Sequence, residues 1–195
     1  MPMMNQRLRR AIPASPIVGS IVALTALACG PRMDDRAVPD GGDSRSPARA
    51  VAVLHPTEDQ AASGRVTFTP VDGGIRVEAD LEGLSPGPHG IHVHEYGDCS
   101  APDGAAAGGH FNPEGVPHAG PDSPVRHVGD LGNLAADSAG AAHFERVDSE
   151  IALAGPHSIV GRAVIIHAGA DDLTSQPSGA AGPRVACGVI GVAGP

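Results

Sequence analysis

The chain has 195 residues, room for one domain and an appendage, and its 27 Gly and 19 Pro argue against long helices. Its aromatics are Phe68, Tyr96, Phe111 and Phe144, its formal charge is −9, and its 13 cations are all Arg, spread along the chain. A nucleic-acid surface needs stacking rings and clustered cations, so nucleic acid is excluded as a main partner; what is in excess is histidine, ten residues against three Cys.

Arg7, Arg9 and Arg10 precede an uncharged stretch whose apolar heart is Ile17 to Leu27, and no acidic residue occurs before Asp34. A basic start followed by a short apolar run is the pattern of a secretory signal, and the run is too short for a comfortable membrane span. Its ending, Thr25-Ala26-Leu27-Ala28-Cys29, resembles the lipobox of bacterial lipoproteins, although Ala26 sits where Leu is usual and Leu27 where a small residue is. That resemblance implies cleavage before Cys29 and its lipidation; the other reading is an ordinary signal peptide with Cys29 incidental. Residues 1–28 are therefore expected to be a signal peptide. Residues 29–49, a Pro/Gly/Asp/Ser/Arg tract without apolar periodicity, read as a flexible tether. Acyl chains on Cys29 would anchor the protein to membrane lipid, each buried methylene contributing about 0.8 kcal/mol. The expected location is the bacterial cell envelope, facing the periplasm, with Gly30 after Cys29 favouring the outer membrane.

From Ala50 the pattern changes to short strands. Ala50–Leu54 is an apolar run, and Arg65–Thr69 and Ile75–Leu81 alternate apolar with polar, as half-buried strands do. Val71-Asp72-Gly73-Gly74 between them carries hairpin chemistry. Further strands are expected at His89–His94, Gly129–Ala136, Ala141–Val147, Ala163–His167 and Arg184–Val192, with Phe68 and Phe144 in the core. Eight such strands over residues 50–195 predict an all-β antiparallel barrel or sandwich. Gly97 to His127 and Ala168 to Pro183 are left as two long loops, and loops of that length are usually functional or disordered.

The histidines gather around the first loop. On a strand, His92 and His94 point to one face about 6.5–7 Å apart, so both rings can converge on one ion. His110, His118, His127 and Asp130 follow at spacings of 8, 9 and 3, three imidazoles and a carboxylate of the kind that closes a tetrahedral zinc site. His167 ends the apolar run Val164-Ile165-Ile166. Imidazole and carboxylate donors favour copper(II) and zinc over iron–sulfur chemistry. His55 and His143 read as solvated, Glu95 and Asp98 as turn and loop hydrogen bonders, and Asp172 as a polar loop residue.

Three segments carry a resemblance. Gly87-Pro88-His89-Gly90-Ile91-His92-Val93-His94-Glu95-Tyr96-Gly97-Asp98-Cys99 resembles the copper-binding signature of the copper/zinc superoxide dismutases. Gly108 to Pro113, followed by Arg126 to Asn133, resembles that family's zinc loop, and Gly182 to Gly191 its C-terminal signature. Cys99 directly after Gly97-Asp98, with the compact second loop, is similar to the exported bacterial branch. The resemblance implies a Greek-key barrel, copper ligands His92, His94, His110 and His167, and zinc ligands His110, His118, His127 and Asp130, with His110 shared. It further implies Asp171 as the carboxylate linking His92 to His118, Arg184 as the active-site cation, non-ligand roles for His89 and His157, and a Cys99–Cys187 disulfide. The implied activity is disproportionation of the superoxide anion to oxygen and hydrogen peroxide by alternate reduction and oxidation of copper, in envelope defence, by a monomer or homodimer. A non-catalytic copper carrier on the same fold is the competing expectation. The loop from Ala168 to Pro183 holds no cation, so anion steering is expected either to come from Arg184 itself, with Arg126 or Arg162, or to be weaker.

Overall fold

The computed structural model describes residues 46–194; the signal, lipid-anchor and most of the tether readings lie outside these residues. Eight strands form one antiparallel sheet: β1 (Ala50–Pro56), β2 (Ser63–Val71), β3 (Gly74–Glu82), β4 (Gly87–His94), β5 (Asp130–Ala136), β6 (Ala142–Asp148), β7 (Ala163–His167) and β8 (Arg184–Val192). The only helical turn among the described residues is a short 3-10 turn at Ala105–Ala107. The strand order is β5-β4-β7-β8-β1-β2-β3-β6. Its two edges, β5 and β6, are consecutive in the chain and joined by a tight turn in which Asp137 N–H bonds Ala141 O. The sheet therefore curls into a nearly closed Greek-key barrel, which leaves little free strand edge.

The hairpin forms where the Asp72-Gly73 pair was expected to turn: Val71 pairs with Gly74, and β2 and β3 stay in register as far as Ser63 and Glu82. Alternation then selects the interior. Ala50, Ala52 and Leu54 of β1, Val66 and Phe68 of β2, and Ile75, Val77, Ala79 and Leu81 of β3 all point into one apolar core. Each fully buried Leu, Ile or Phe stabilises by roughly 1.5–3 kcal/mol, so aliphatic side chains build the core although aromatics are few. Phe144, on edge strand β6, is only partly buried against that core.

Strands β4 and β7 are buried on both faces. Ile91, Val93, Val164 and Ile166 belong to the barrel core, and the alternate residues His92, His94, Ile165 and His167 emerge on the outer face beneath the two long loops. Two bulges sharpen this placement. The β4–β5 register shifts between Gly90 and His92, setting His92 opposite Asp130, and the β7–β8 register shifts between Ile166 and His167, setting His167 opposite Arg184. Bulges re-aim side chains at sheet rims, and here both lie beside the histidine cluster. A disulfide joins Cys99 in the first loop to Cys187 in β8, 88 positions apart.

Candidate metal centre

Two four-residue groups of possible ligands stand side by side and share one member: His92, His94, His110 and His167 form the first, and His110, His118, His127 and Asp130 the second. All seven side chains are buried. The rings of His92 and His110 stack with centroids 4.0 Å apart. Residue for residue, these are the two groups that the family resemblance implies.

The orientation of the rings is more telling than their proximity. His94 Nδ1–H donates to Gly108 O at 2.9 Å, His167 Nδ1–H to Gly182 O at 2.9 Å, and His92 Nε2–H to Asp171 Oδ2 at 2.8 Å. These bonds set each tautomer and leave the opposite nitrogen with its lone pair. That opposite nitrogen, His92 Nδ1, His94 Nε2 or His167 Nε2, is buried and has no hydrogen-bond partner, as is Nε2 of His110. Four unpartnered buried acceptors converging on one point fit a cation, because a buried polar atom without a partner otherwise costs about 1–3 kcal/mol.

The second group has the edges of a coordination tetrahedron. Bonds of 2.0–2.1 Å to a tetrahedral ion separate ligand atoms by about 3.3 Å. Asp130 Oδ1 lies 2.8 Å from His110 Nδ1, 3.0 Å from His118 Nδ1 and 3.2 Å from His127 Nδ1, and the Nδ1 atoms of His110 and His127 are 3.5 Å apart. His118 Nδ1 is short enough for a hydrogen bond to Asp130, yet is misaligned and makes none. The other oxygen, Oδ2, accepts the backbone N–H groups of His127 at 3.0 Å and Ala119 at 3.2 Å, so the carboxylate offers one atom to the group. The donor set of three imidazoles and one carboxylate suits zinc, and the four-imidazole set suits copper(II).

Asp171 connects the two groups from behind, Oδ2 taking His92 and Oδ1 accepting from His118 Nε2 at 3.0 Å. Burial keeps His92 neutral, pushing it down to about 3 against the raising effect of Asp171, and pushes His167 down to about 4. His94 and His110 are lowered for the same first reason, burial. Burial alone would raise Asp130, but its bonds to His110 and His127 hold it well below the usual carboxylate range.

Arg184 lines the same cavity as His94, His110 and His167, and among the described residues is the only Lys or Arg there. Its guanidinium bonds Gly104 O and, at 2.5 Å, Gly108 O. Gly108 O thus holds both His94 and Arg184. Arg126 and Arg162, expected as further steering cations, do not serve that purpose. Arg126 is buried in an ion pair with Asp148 at 2.7 Å and also bonds the carbonyls of His127 and Asp130. Arg162 stacks on Phe111 at 3.4 Å and pairs with Glu95 at 3.1 Å. Both cations are held by the fold instead of facing the cavity.

The remaining expectations sort as follows. His89 is fully buried and bonded at both nitrogens, to His167 O at 2.7 Å and Ser85 O at 2.8 Å. His157 bonds Glu150 O and Glu114 Oε1 at 2.7 and 2.6 Å, while His55 is exposed and His143 is an exposed partner of Asp80. Asp98 accepts from Ser100 N–H, and Asp172 caps Thr174 and Ser175. Sequence reading missed three residues that hold the site. Asn133 grips the backbone of Asp171 in both directions at 2.7 and 2.8 Å, Gln176 does the same to His118 at 2.8 Å, and Gly179 packs against Asp171. An amide in a polar loop carries no spacing signal; only the motif placement of Asn133 hinted at a role.

The model of the copper/zinc superoxide dismutases matches residues 62–190. The chain belongs to that family. Among solved structures it is similar to the clock protein EA4, at 45% identity over 76% of this chain and 97% of that chain, with a TM-score of 0.70. Membership in the superoxide dismutase family agrees with both the Greek-key barrel and the paired histidine groups.

Proposed function

We propose that the protein is a working superoxide dismutase, converting the superoxide anion to oxygen and hydrogen peroxide. His92, His94, His110 and His167 would hold copper, and His110, His118, His127 and Asp130 would hold zinc. The observation that carries this reading is His110: Nε2 points unpartnered into one group and Nδ1 stands among the ligand atoms of the other. Copper, when bound, supplies one-electron exchange with superoxide, and zinc, lacking redox chemistry, supplies order and charge.

The chain's own residues do the rest. Arg184, in the lining of the cavity, offers a fixed guanidinium to a small anion, and a local positive charge there focuses potential against the acidic whole. His94 and His167 keep their donor nitrogens aimed inward because backbone carbonyls hold the opposite N–H groups. His110 would be the residue that holds or releases a proton, at Nε2, which is buried and has no partner. A non-catalytic copper carrier would not require Arg184 pinned by two carbonyls in that lining, which favours the enzyme.

The test is activity of protein with measured copper and zinc, alongside His110→Ala. Loss of activity together with impaired occupancy supports the shared ligand. Full activity of the variant with both metals at normal occupancy would refute it. We further propose an envelope location, reached through residues 1–28 and an acyl anchor on Cys29. Membrane fractionation of Cys29→Ala should release the protein in soluble form.

A further inference from the structure

The loop between β7 and β8 folds largely on itself. Asp172 caps Thr174 and Ser175, Gly179 N–H reaches Ser175 O at 2.7 Å, and Asp172 N–H reaches Gly179 O at 2.8 Å. From its tip Gln176 extends to the other long loop. Oε1 accepts the N–H of His118 at 2.8 Å, and Nε2 donates to His118 O at 2.8 Å. The side-chain amide takes the place that a neighbouring strand would occupy. Nothing else among the described residues bonds the backbone of His118, which lies in a stretch without regular structure. The same loop also supplies the partner of the His118 ring, because Asp171 Oδ1 accepts from Nε2 at 3.0 Å. Main chain and ring of this one ligand are thus both set from residues 171–176, while the other members of its group are placed differently. His110 pairs by backbone bridge with His94, and Asp130 starts β5.

We propose that Gln176 is a positioning residue for His118, and that through it the β7–β8 loop, which leads directly to Arg184, is coupled to zinc. This rests on the proposed reading of His110, His118, His127 and Asp130 as a zinc site. Partners that orient metal ligands typically change affinity 10–100-fold when lost. Zinc would therefore order the loop before Arg184, and the docked loop would in turn tighten zinc. Gln176 hydrogen-bonds none of His92, His94, His110 and His167, which would hold copper, so the effect is selective between the two metals.

The experiment starts from fully metallated protein and compares wild type with Gln176→Met, which keeps shape and removes both bonds, and Gln176→Glu, which keeps the acceptor but sets an oxygen against His118 O. Chelator competition reads zinc and copper affinity separately, and hydrogen exchange reads residues 172–180 before and after zinc removal. The expected result is zinc affinity about 10–100-fold weaker in both variants, copper affinity within twofold, and zinc-dependent protection of the loop in wild type only. Unchanged zinc affinity in both variants would overturn the proposal while leaving the zinc site intact. Equal weakening of both metals, or an equal drop in Tm of metal-free protein, would reduce Gln176 to general loop stability and overturn it as well. Wild-type protein that takes up no zinc would instead overturn the metal assignment on which the proposal stands.

Discussion

Gly179 packs against Asp171 with no room for a side chain: a Cβ on the glycine would sit 1.8 Å from Oδ1, and 2.8 Å from Nε2 of His118. Its φ of 68° is also left-handed, where an L side chain costs roughly 1–2 kcal/mol. Gly179→Ala should therefore displace the carboxylate that joins the two histidine groups. We expect a stability loss of about 2 kcal/mol or more and a loss of zinc that exceeds the loss of copper. Metal analysis after dialysis, with Tm of the metal-free protein as control, checks it; zinc retained at the wild-type level would show that the loop can yield.

The Arg184 guanidinium is held by two carbonyls and bonds none of the histidine side chains, so its removal should spare the metals. Arg184→Ile is expected to lower turnover at least tenfold, about 1.4 kcal/mol or more, while both metal contents stay normal. Unchanged turnover at matched metal loading would remove the arginine from the mechanism.

Behind Arg184 the surface is acidic. Glu58, Asp59 and Asp103 line a second depression that shares Arg184 with the cavity, and Arg126 and Arg162 are engaged elsewhere. With Arg184 the one arginine lining the cavity among the described residues, and acids beside it, attraction of an anion from a distance by these side chains is weak. The rate at limiting superoxide is expected not to fall as ionic strength rises from about 10 to about 200 mM, a range over which the Debye length shrinks from about 30 Å to below 10 Å. A several-fold fall would reveal a steering field that these side chains do not account for.

Acid should unfold the metal-free protein through its own ligands. His92 and His167 are pushed down to about 3 and about 4, first of all by burial. Below pH 6.5 the unfolded chain binds protons at these imidazoles and the folded chain does not. Their share of stability is therefore present above pH 6.5 and is lost as pH falls toward 4. Thermal melts of metal-free protein between pH 8 and 4 should show a steep loss confined to the acidic half, on the order of a few kcal/mol. A Tm flat across that range would mean the rings open to water before they charge.

Most of this architecture was readable because its signals are local. Alternation and short apolar runs located all eight strands, and their ends differ by only a residue or two. Arg65–Thr69 grows into Ser63–Val71 because backbone pairing with β3 continues past the apolar stripe. The donors themselves were legible because His92 and His94 share a strand face and because the first loop contributes its donors at short spacings, whereas their division into two groups came from the family resemblance. What escaped was decided by long-range partners. Arg126 looks like a free cation until Asp148, 22 residues on, is folded against it. Gln176 looks like loop filler until His118, 58 residues away, is placed beneath it. Phe144 alternates like a core residue, but β6 is an edge strand and covers it only partly.

The carbonyls of Gly104 and Gly108 that grip Arg184 belong to the loop that Cys99 ties to Cys187, three residues along β8 from Arg184 itself. Closing a loop of that size restricts the unfolded chain by about 4–5 kcal/mol in the chain-entropy treatment. Its nearer effect is on the guanidinium. In a newly made chain both sulfurs are thiols, and the segment carrying those carbonyls is held only by hydrogen bonds such as Glu58 N–H to Pro102 O and Tyr96 N–H to Ala107 O. On the proposed reading, oxidation becomes a maturation step that fixes the carbonyls around Arg184, and a copy retained in a reducing compartment should hold that guanidinium less firmly.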